Sequence, residues 1–363
     1  MGRPRTRTTA AAASDKATAL RVATYNVLSS HLGGPDHFRR CDPAALAASA
    51  RLPKVLAKLA RECDKEAVIC LQEVSTSWAG PLYAFFAARG YAFVPSFYGQ
   101  PSNGYMGCGL AYKTAKYTLD AVNISRLSDS RSWPRPPRPT GLRARLASAV
   151  AGSVLGRMWR AALNRKPSED AFAFSRNRYN TIVYAALTDK QSGGSFGVST
   201  YHMPCAFWNP PAMTIHAALA AQKTAALARK PDGSSLPYIL AGDFNITPRS
   251  PQYALLTTGE LPGDAAGADA TPAYPPGDGW RAEVQPLRSA LAEAHGAEPA
   301  FTNYVCVKEE PEFVETLDYV FVSPDVEVAG ADALPVSTEG LGGPLPSAEE
   351  PSDHLLLAAD LRC

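Results

Sequence analysis

The chain has 363 residues, 46% hydrophobic and 19% charged. That composition supplies a substantial core and excludes a globally disordered chain, and the length fits one large α/β domain or two ordinary ones. A formal net charge of +2 names no partner, so the placement of charge has to be read instead.

No stretch reaches the ~18 apolar residues of a membrane span. The seven cysteines show no C-x-x-C spacing and sit mostly in apolar runs, which reads as reduced, buried thiols of an intracellular protein without a zinc site. Residues 1–19 carry four basic residues and one acid and read as a floppy leader. A transit peptide or a myristoylation signal is the alternative, so the compartment expected is cytoplasmic or organellar.

LRVATYNVL (Leu20–Leu28) is a strand, with Leu20, Val22, Thr24 and Asn26 on one face and Ala23, Tyr25 and Val27 on the other. RLPKVLAKLAREC places Leu52, Val55, Leu56 and Leu59 at helical spacing. EAVICLQEV is almost wholly apolar before Gln72 and Glu73, as expected of a strand buried on both faces. PLYAFFAARG is a helix stopped by Gly90.

Strands follow at YAFVPSF, CGLAYK, YNTIVYAAL and GSFGVSTYH, then a long helix at PAMTIHAALAAQKTAALARK. LPYILAGD reads as a strand, QPLRSALAEAH as a helix, and ETLDYVFVS and DHLLLAADL as strands. Neighbouring and helix-separated strands occur together, which is a mixed, layered α/β arrangement.

Two segments look inserted. Gly259–Gly279 is rich in Gly, Pro and Ala and reads as a long surface loop. Arg126–Lys166 holds ten basic residues against one acid, Asp129. Within it Leu142, Leu146, Val150, Val154 and Met158 recur every four residues, the pattern of a basic amphipathic helix. Its arginines, with Trp133 and Trp159, suit a nucleic-acid backbone, an anionic membrane surface, or plain solvation. Nothing in the sequence calls for an obligate protein partner.

Polar residues gather at strand boundaries: Asn26, Glu73, His202, Asp243, Asn245, Asp318, Asp353 and His354. Aligned strand ends would bring them to one rim. Carboxylate and amide oxygens suit a hard divalent cation, Mg²⁺ or Mn²⁺, and imidazoles can orient or protonate phosphoryl oxygens. Attack of water on a phosphate ester is the chemistry that uses all of these.

ATYNVL, LQEV, GDFN, LDYVF and SDH, in that order, resemble the endonuclease/exonuclease/phosphatase superfamily. The stretch FTNYVCVKEEPEFVETLDYVFVS followed by PSDHLLLAADL is similar to the signature of its deadenylase, nocturnin and 2′,5′-phosphodiesterase branch. The resemblance covers about Leu20 to Leu361 and implies a single catalytic domain over 20–363, built as a four-layered α/β sandwich.

It also implies Glu73 as the main Mg²⁺ ligand, with Asn26 and Asp353 on the metal side. Asp243 would orient or deprotonate water, and Asn245 would bind a phosphate oxygen. His354 would contact the scissile phosphate with its tautomer fixed by Asp318, and His202 would contact phosphate. Arg51, Tyr105, Arg176, Asn177 and Asn180 are candidate substrate contacts.

Asp243 and Asn245 also suit an Asx turn, and both can face one side if the extended chain continues past Gly242. The function expected is a Mg²⁺-dependent 3′ exoribonuclease of deadenylase type acting on single-stranded RNA. Alternatives are a DNA-repair or tyrosyl-DNA phosphodiesterase, an inositol-phosphate or sphingomyelin phosphodiesterase, or a binding module that kept the fold. Val305, Cys306 and Val307 stand where this branch carries a base-stacking aromatic, and Phe313 comes later.

Overall fold

The structure, a computed structural model, describes residues 17–133 and 170–363. Its strands in chain order are Ala19–Asn26 (β1), Val68–Val74 (β2), Tyr91–Pro95 (β3), Gly107–Lys113 (β4), Tyr117–Arg126 (β5), Thr181–Asp189 (β6) and Ser195–His202 (β7). They continue with Tyr238–Asp243 (β8), Arg288–Ser289 (β9), Asn303–Val305 (β10), Phe313–Glu315 (β11), Asp318–Val322 (β12), Glu327–Ala331 (β13) and Leu357–Arg362 (β14). One six-stranded sheet has the order β13-β14-β1-β2-β4-β3, the other β5-β6-β7-β8-β12-β9, and β10 and β11 pair by themselves.

Each large sheet contains one parallel pair, β1 with β2 and β7 with β8. A parallel neighbour needs a crossover, and helices Ala48–Asp64 and Pro210–Ala228 supply it. Both pairs therefore end on the same side of their own sheet, which decides where the polar residues go.

Three apolar layers separate four layers of structure. Ala23 and Tyr25 of β1 and Val27 just after it pack with Val55, Leu59, Trp78, Leu82 and Phe86 of the helices outside the first sheet. Leu20, Val22, Val68 and Cys70 meet Val198, Ile239, Ala241 and Val320 between the sheets. Tyr201, Leu240, Tyr319 and Phe321 pack under the long helix on the far side, against Met213, Ile215 and Leu219. The alternation read in β1 thus sorts its residues between two cores.

Near the strand ends this middle core turns polar. Gln72 Nε2 donates to Thr24 Oγ1 and Thr200 Oγ1, both at 3.0 Å, and ties the sheets together where no water reaches.

Several expectations are corrected. QPLRSALAEAH divides into β9, which pairs with β12, and a shorter helix, Ala290–His295. Gly259–Gly279 contains the helix Ala265–Ala270, begun by an Asp264 side chain that accepts from the Gly267 N–H. Cys205 is exposed and Cys363 half-buried, so the thiols are not uniformly interior.

Of the basic insert, residues 134–166 lie outside the described ones, and with them Trp159 and the amphipathic helix reading. Arg131 forms a buried ion pair with Asp278 at 2.6 Å, ringed by Trp133, Phe172 and Trp280. Arg126 donates to the carbonyls of Arg176 and Arg178 and stacks on Tyr179. These two arginines and Trp133 are engaged within the fold rather than free for a phosphate backbone. Among the described residues no helix is long and apolar enough to cross a membrane.

Candidate active site

The ends of β1, β2, β7 and β8 carry Asn26, Glu73, His202 and Asp243, and register brings them level. Asn26 stands beside Gln72, His202 beside Asp243, and Asp318 at the start of β12 beside Asp243. Gly242 makes the pairing of His202 with Asp243 feasible: its φ is 150°, and a Cβ there would lie 1.9 Å from the carbonyl oxygen of Tyr201, its partner on β7.

Glu73 reaches the rim through a local irregularity. The β2–β4 register shifts between Leu71 and Val74, and Glu73 has φ 59°, a conformation uncommon outside glycine. The bulge turns its carboxylate to the sheet end, where Oε2 accepts from the Ser29 N–H at 3.0 Å and Oε1 from Asn26 Nδ2 at 3.3 Å. Asn26 Nδ2 also donates to Asp243 Oδ2 at 2.9 Å. The Asn26 oxygen accepts from the Leu28 N–H, and toward the carboxylates this side chain presents its amide donor.

Asp243 accepts once more. Its Oδ1 takes the Asn245 N–H at 2.9 Å, an Asx turn, and Asn245 has φ 50°. The extended chain therefore ends at Asp243. Asn245 reaches the cavity by the turn and donates its own amide to the Met203 carbonyl. The turn reading and the site placement hold together.

Two imidazoles converge on Asp243 Oδ2, His202 Nε2 at 3.5 Å and His354 Nε2 at 3.8 Å. Behind His354, Nδ1 donates to Asp318 Oδ2 at 2.8 Å. The Thr302 hydroxyl donates to the same oxygen at 2.6 Å while accepting from the Leu317 and Asp318 N–H groups. Burial alone would lower the His354 pKa, but the charges of Asp318, Asp243 and Asp353 outweigh it and hold the ring protonated well above its ordinary range. Burial raises Asp318, against the opposing pull of His354. The proton between them sits on Nδ1.

Asp353 is fixed through its backbone, whose carbonyl accepts from the Tyr304 N–H and Asn303 Nδ2, each at 3.1 Å. Next to it, Ser352 donates to the Asn26 carbonyl. Burial raises the Asp353 carboxyl, His354 draws it back, and the Glu73 charge adds to the rise.

Asp243, Asp318 and His354 each offer a ligand atom within 4.8 Å of the others. The Asp318 Oδ2 in that set is already committed to His354 and Thr302, so Glu73 and Asp353, beside Asp243, are the oxygens more open to a cation. Among the described residues no Lys or Arg forms an ion pair with Glu73, Asp243 or Asp353. With only imidazoles as close basic partners, these gathered carboxylates leave room for a further positive charge, and their hard oxygens fit a divalent ion.

These groups open on a cavity of about 920 Å³, lined by Glu73, His202, Asp243, Asn245, Asp353 and His354, with Asn177 and Asn180 on its wall. Asn26 and Asp318 lie directly behind it. Arg51 and Tyr105 do not line it. Arg51 is fully buried and donates to the carbonyls of Val27, Leu28, Ser29, Leu46 and Pro351 over the ring of Trp78, so it holds loops. Tyr105 is exposed on the turn after Pro101–Asn103, and Arg176 also lies outside the lining.

Sequence reasoning passed over Tyr98, which touches His202, and Phe207, whose ring lies 6.1 Å from that of Phe313 on the same wall as Val305 and Val307. The register of β10 and β11 explains the pair: Val305 stands opposite Phe313, which returns an aromatic to the place the sequence left aliphatic. The signal available was the exposed aromatic run AFW after His202.

Comparison with known proteins agrees with this architecture. The model of the Endonuclease/Exonuclease/phosphatase family matches residues 23–354. The chain is 25% identical to Nocturnin of Drosophila melanogaster over 362 residues, 94% of this chain and 46% of that protein. It is 31% identical to human 2′,5′-phosphodiesterase 12 over 136 residues, 35% of this chain and 20% of the other. The chain thus spans half or less of the length of these curated relatives.

Among solved structures, ANGEL2, a 2′,3′-cyclic phosphatase, superposes with a TM-score of 0.69 at 20% identity over 95% of both chains. The human Nocturnin catalytic domain superposes at 0.59 and 17% identity over 94% of both. With two mixed sheets between helices and this rim of carboxylates and imidazoles, the chain belongs to the Endonuclease/Exonuclease/phosphatase family, whose members are hydrolases of phosphate esters.

Proposed function

We propose that the chain is a Mg²⁺-dependent phosphodiesterase that shortens single-stranded RNA from its 3′ end. One observation carries this reading: Asp243 stands between two imidazoles in the lining of one cavity, with Glu73 and Asp353, which form no ion pair with a Lys or Arg among the described residues, in the same lining.

Glu73 and Asp353 would hold the cation, which when bound neutralises charge on the phosphate. The chain's own groups do the rest. Asp243 aligns the attacking water and takes its proton. His354, kept cationic by Asp318, donates through Nε2 to a phosphate oxygen. His202 donates from the other side, and Asn245 and Asn180 bound the phosphate's space. Phe207, 48% exposed, with Phe313 beside it, gives a nucleobase an apolar face next to the phosphate position. The name of 2′,5′-phosphodiesterase 12 supports a phosphodiester substrate.

Incubation with Mg²⁺ and a panel of poly(A), mixed RNA, RNA ending in a 2′,3′-cyclic phosphate, abasic DNA and phospholipid tests the proposal. Laddered loss from RNA 3′ ends, abolished by EDTA and restored by Mg²⁺, is expected. Turnover of lipid or abasic DNA alone overturns it, as does turnover that survives EDTA. Hydrolysis confined to the cyclic phosphate replaces the exonuclease reading with an end-processing one.

A further inference from the structure

Two imidazoles face the same oxygen of Asp243, yet different groups stand behind them. Asp318, a carboxylate, backs Nδ1 of His354 at 2.8 Å. Behind His202 is a phenol: the Tyr98 hydroxyl lies 3.3 Å from Nδ1. Asn180 completes the arrangement, its amide donating to the His202 carbonyl at 2.9 Å and to the Tyr98 oxygen at 3.4 Å.

A carboxylate can only accept, so His354 must carry a proton on Nδ1. A phenol can do either, and here Asn180 supplies its incoming donor. With that oxygen taken up by Asn180, the phenolic proton is free to point at Nδ1 of His202, which then accepts. A neutral imidazole that accepts at one nitrogen is protonated at the other. Nε2–H therefore points into the cavity, 3.5 Å from Asp243 Oδ2 and 4.0 Å from Glu73 Oε1. Burial holds the Tyr98 hydroxyl protonated far above its ordinary range, so the donor persists at any working pH.

We propose that Tyr98, oriented by Asn180, is a positioning residue that holds His202 with its Nε2–H directed into the cavity as a hydrogen-bond donor to the phosphate. The proposal rests on the reading of His202 as a phosphate contact. The two imidazoles are thereby held by different partners: a carboxylate backs His354 and a phenol backs His202.

The test is long-range ¹H–¹⁵N correlation on the full chain labelled at histidine, recorded across a pH series. The signal is assigned by its loss in His202→Gln. Wild type should show the Nε2–H form, and Tyr98→Phe should shift the population toward Nδ1–H. With RNA, Tyr98→Phe should lower kcat about 10- to 100-fold, the usual effect of removing an orienting partner, with a smaller change in KM. Asn180→Ala, which frees the phenol to rotate, should move both readouts the same way by less, and it serves if Tyr98→Phe does not fold.

An Nδ1–H form in wild type overturns the proposal, as does a tautomer ratio unchanged by these substitutions. The tautomer readout needs no substrate. A wild type that turns over none of the panel therefore sinks the functional reading while the role of Tyr98 is still decided.

Discussion

Asn26 Nδ2 donates to Asp243 Oδ2 at 2.9 Å, a hydrogen bond between residues 217 apart in sequence that joins the strand ends of the two sheets. The same amide reaches Glu73 Oε1 at 3.3 Å and lies between two carboxylates that would otherwise repel. We predict that Asn26→Ala lowers kcat/KM on RNA about 10- to 100-fold. Asn26→Asp should lower it further, because it adds a third like charge. Steady-state kinetics at saturating Mg²⁺ decides this, and equal activity of the two variants would remove charge separation as the role of Asn26.

Asp318 keeps the Nδ1 proton of His354 in place, and Thr302 keeps Asp318 in place. Asp318→Asn retains the shape and removes the charge. The expected loss in kcat is on the order of 10²- to 10⁴-fold, the range for a displaced acid–base group. A loss under threefold with RNA would show that His354 works without its carboxylate.

Arg51, read from the sequence as a substrate contact, predicts a stability effect instead. Its guanidinium satisfies carbonyls of the loop after β1 and of Pro351, just ahead of Asp353. Arg51→Met strands those carbonyls in a dry interior and should cost about 3 kcal/mol or more. Urea unfolding measures this; Tm and midpoint matching wild type would mean that the loops re-pair without it.

His216 gives the pH dependence a sign. It is buried in the long helix and accepts from the Tyr201 hydroxyl at 2.8 Å, and burial pushes its pKa down to about 3. In the unfolded chain it titrates near 6.5. Between those values the unfolded state binds the extra proton, so stability falls as pH drops from about 6.5 toward 3. His216→Gln should flatten the dependence of the urea midpoint on pH in that window. An unchanged slope would place the acid sensitivity in other groups.

The rim was legible in the sequence because its residues end apolar runs, where alternation and a sudden polar pair mark both the strand and its boundary. What the sequence hid lies off the strands. Arg51 looks like any exposed helix arginine until the two loops it holds are seen together. Tyr98 and Phe207 sit in irregular segments with no period to betray their direction. Glu73 carries a bulge that a one-residue count cannot reveal, and Asn245 arrives by a turn where simple alternation predicts an extended chain. Side-chain amides are hard to read for a further reason: whether Asn26 offers oxygen or nitrogen depends on the Leu28 N–H two residues on.

β14 is the last of the strands, yet it is interior to its sheet, paired on one side with β13 and on the other with β1. Asp353 and His354 arrive with it. The carboxylate and imidazole they carry therefore join Asn26 and Glu73 only once this segment has paired beside the first strand, so closing that pairing and assembling the rim are one event.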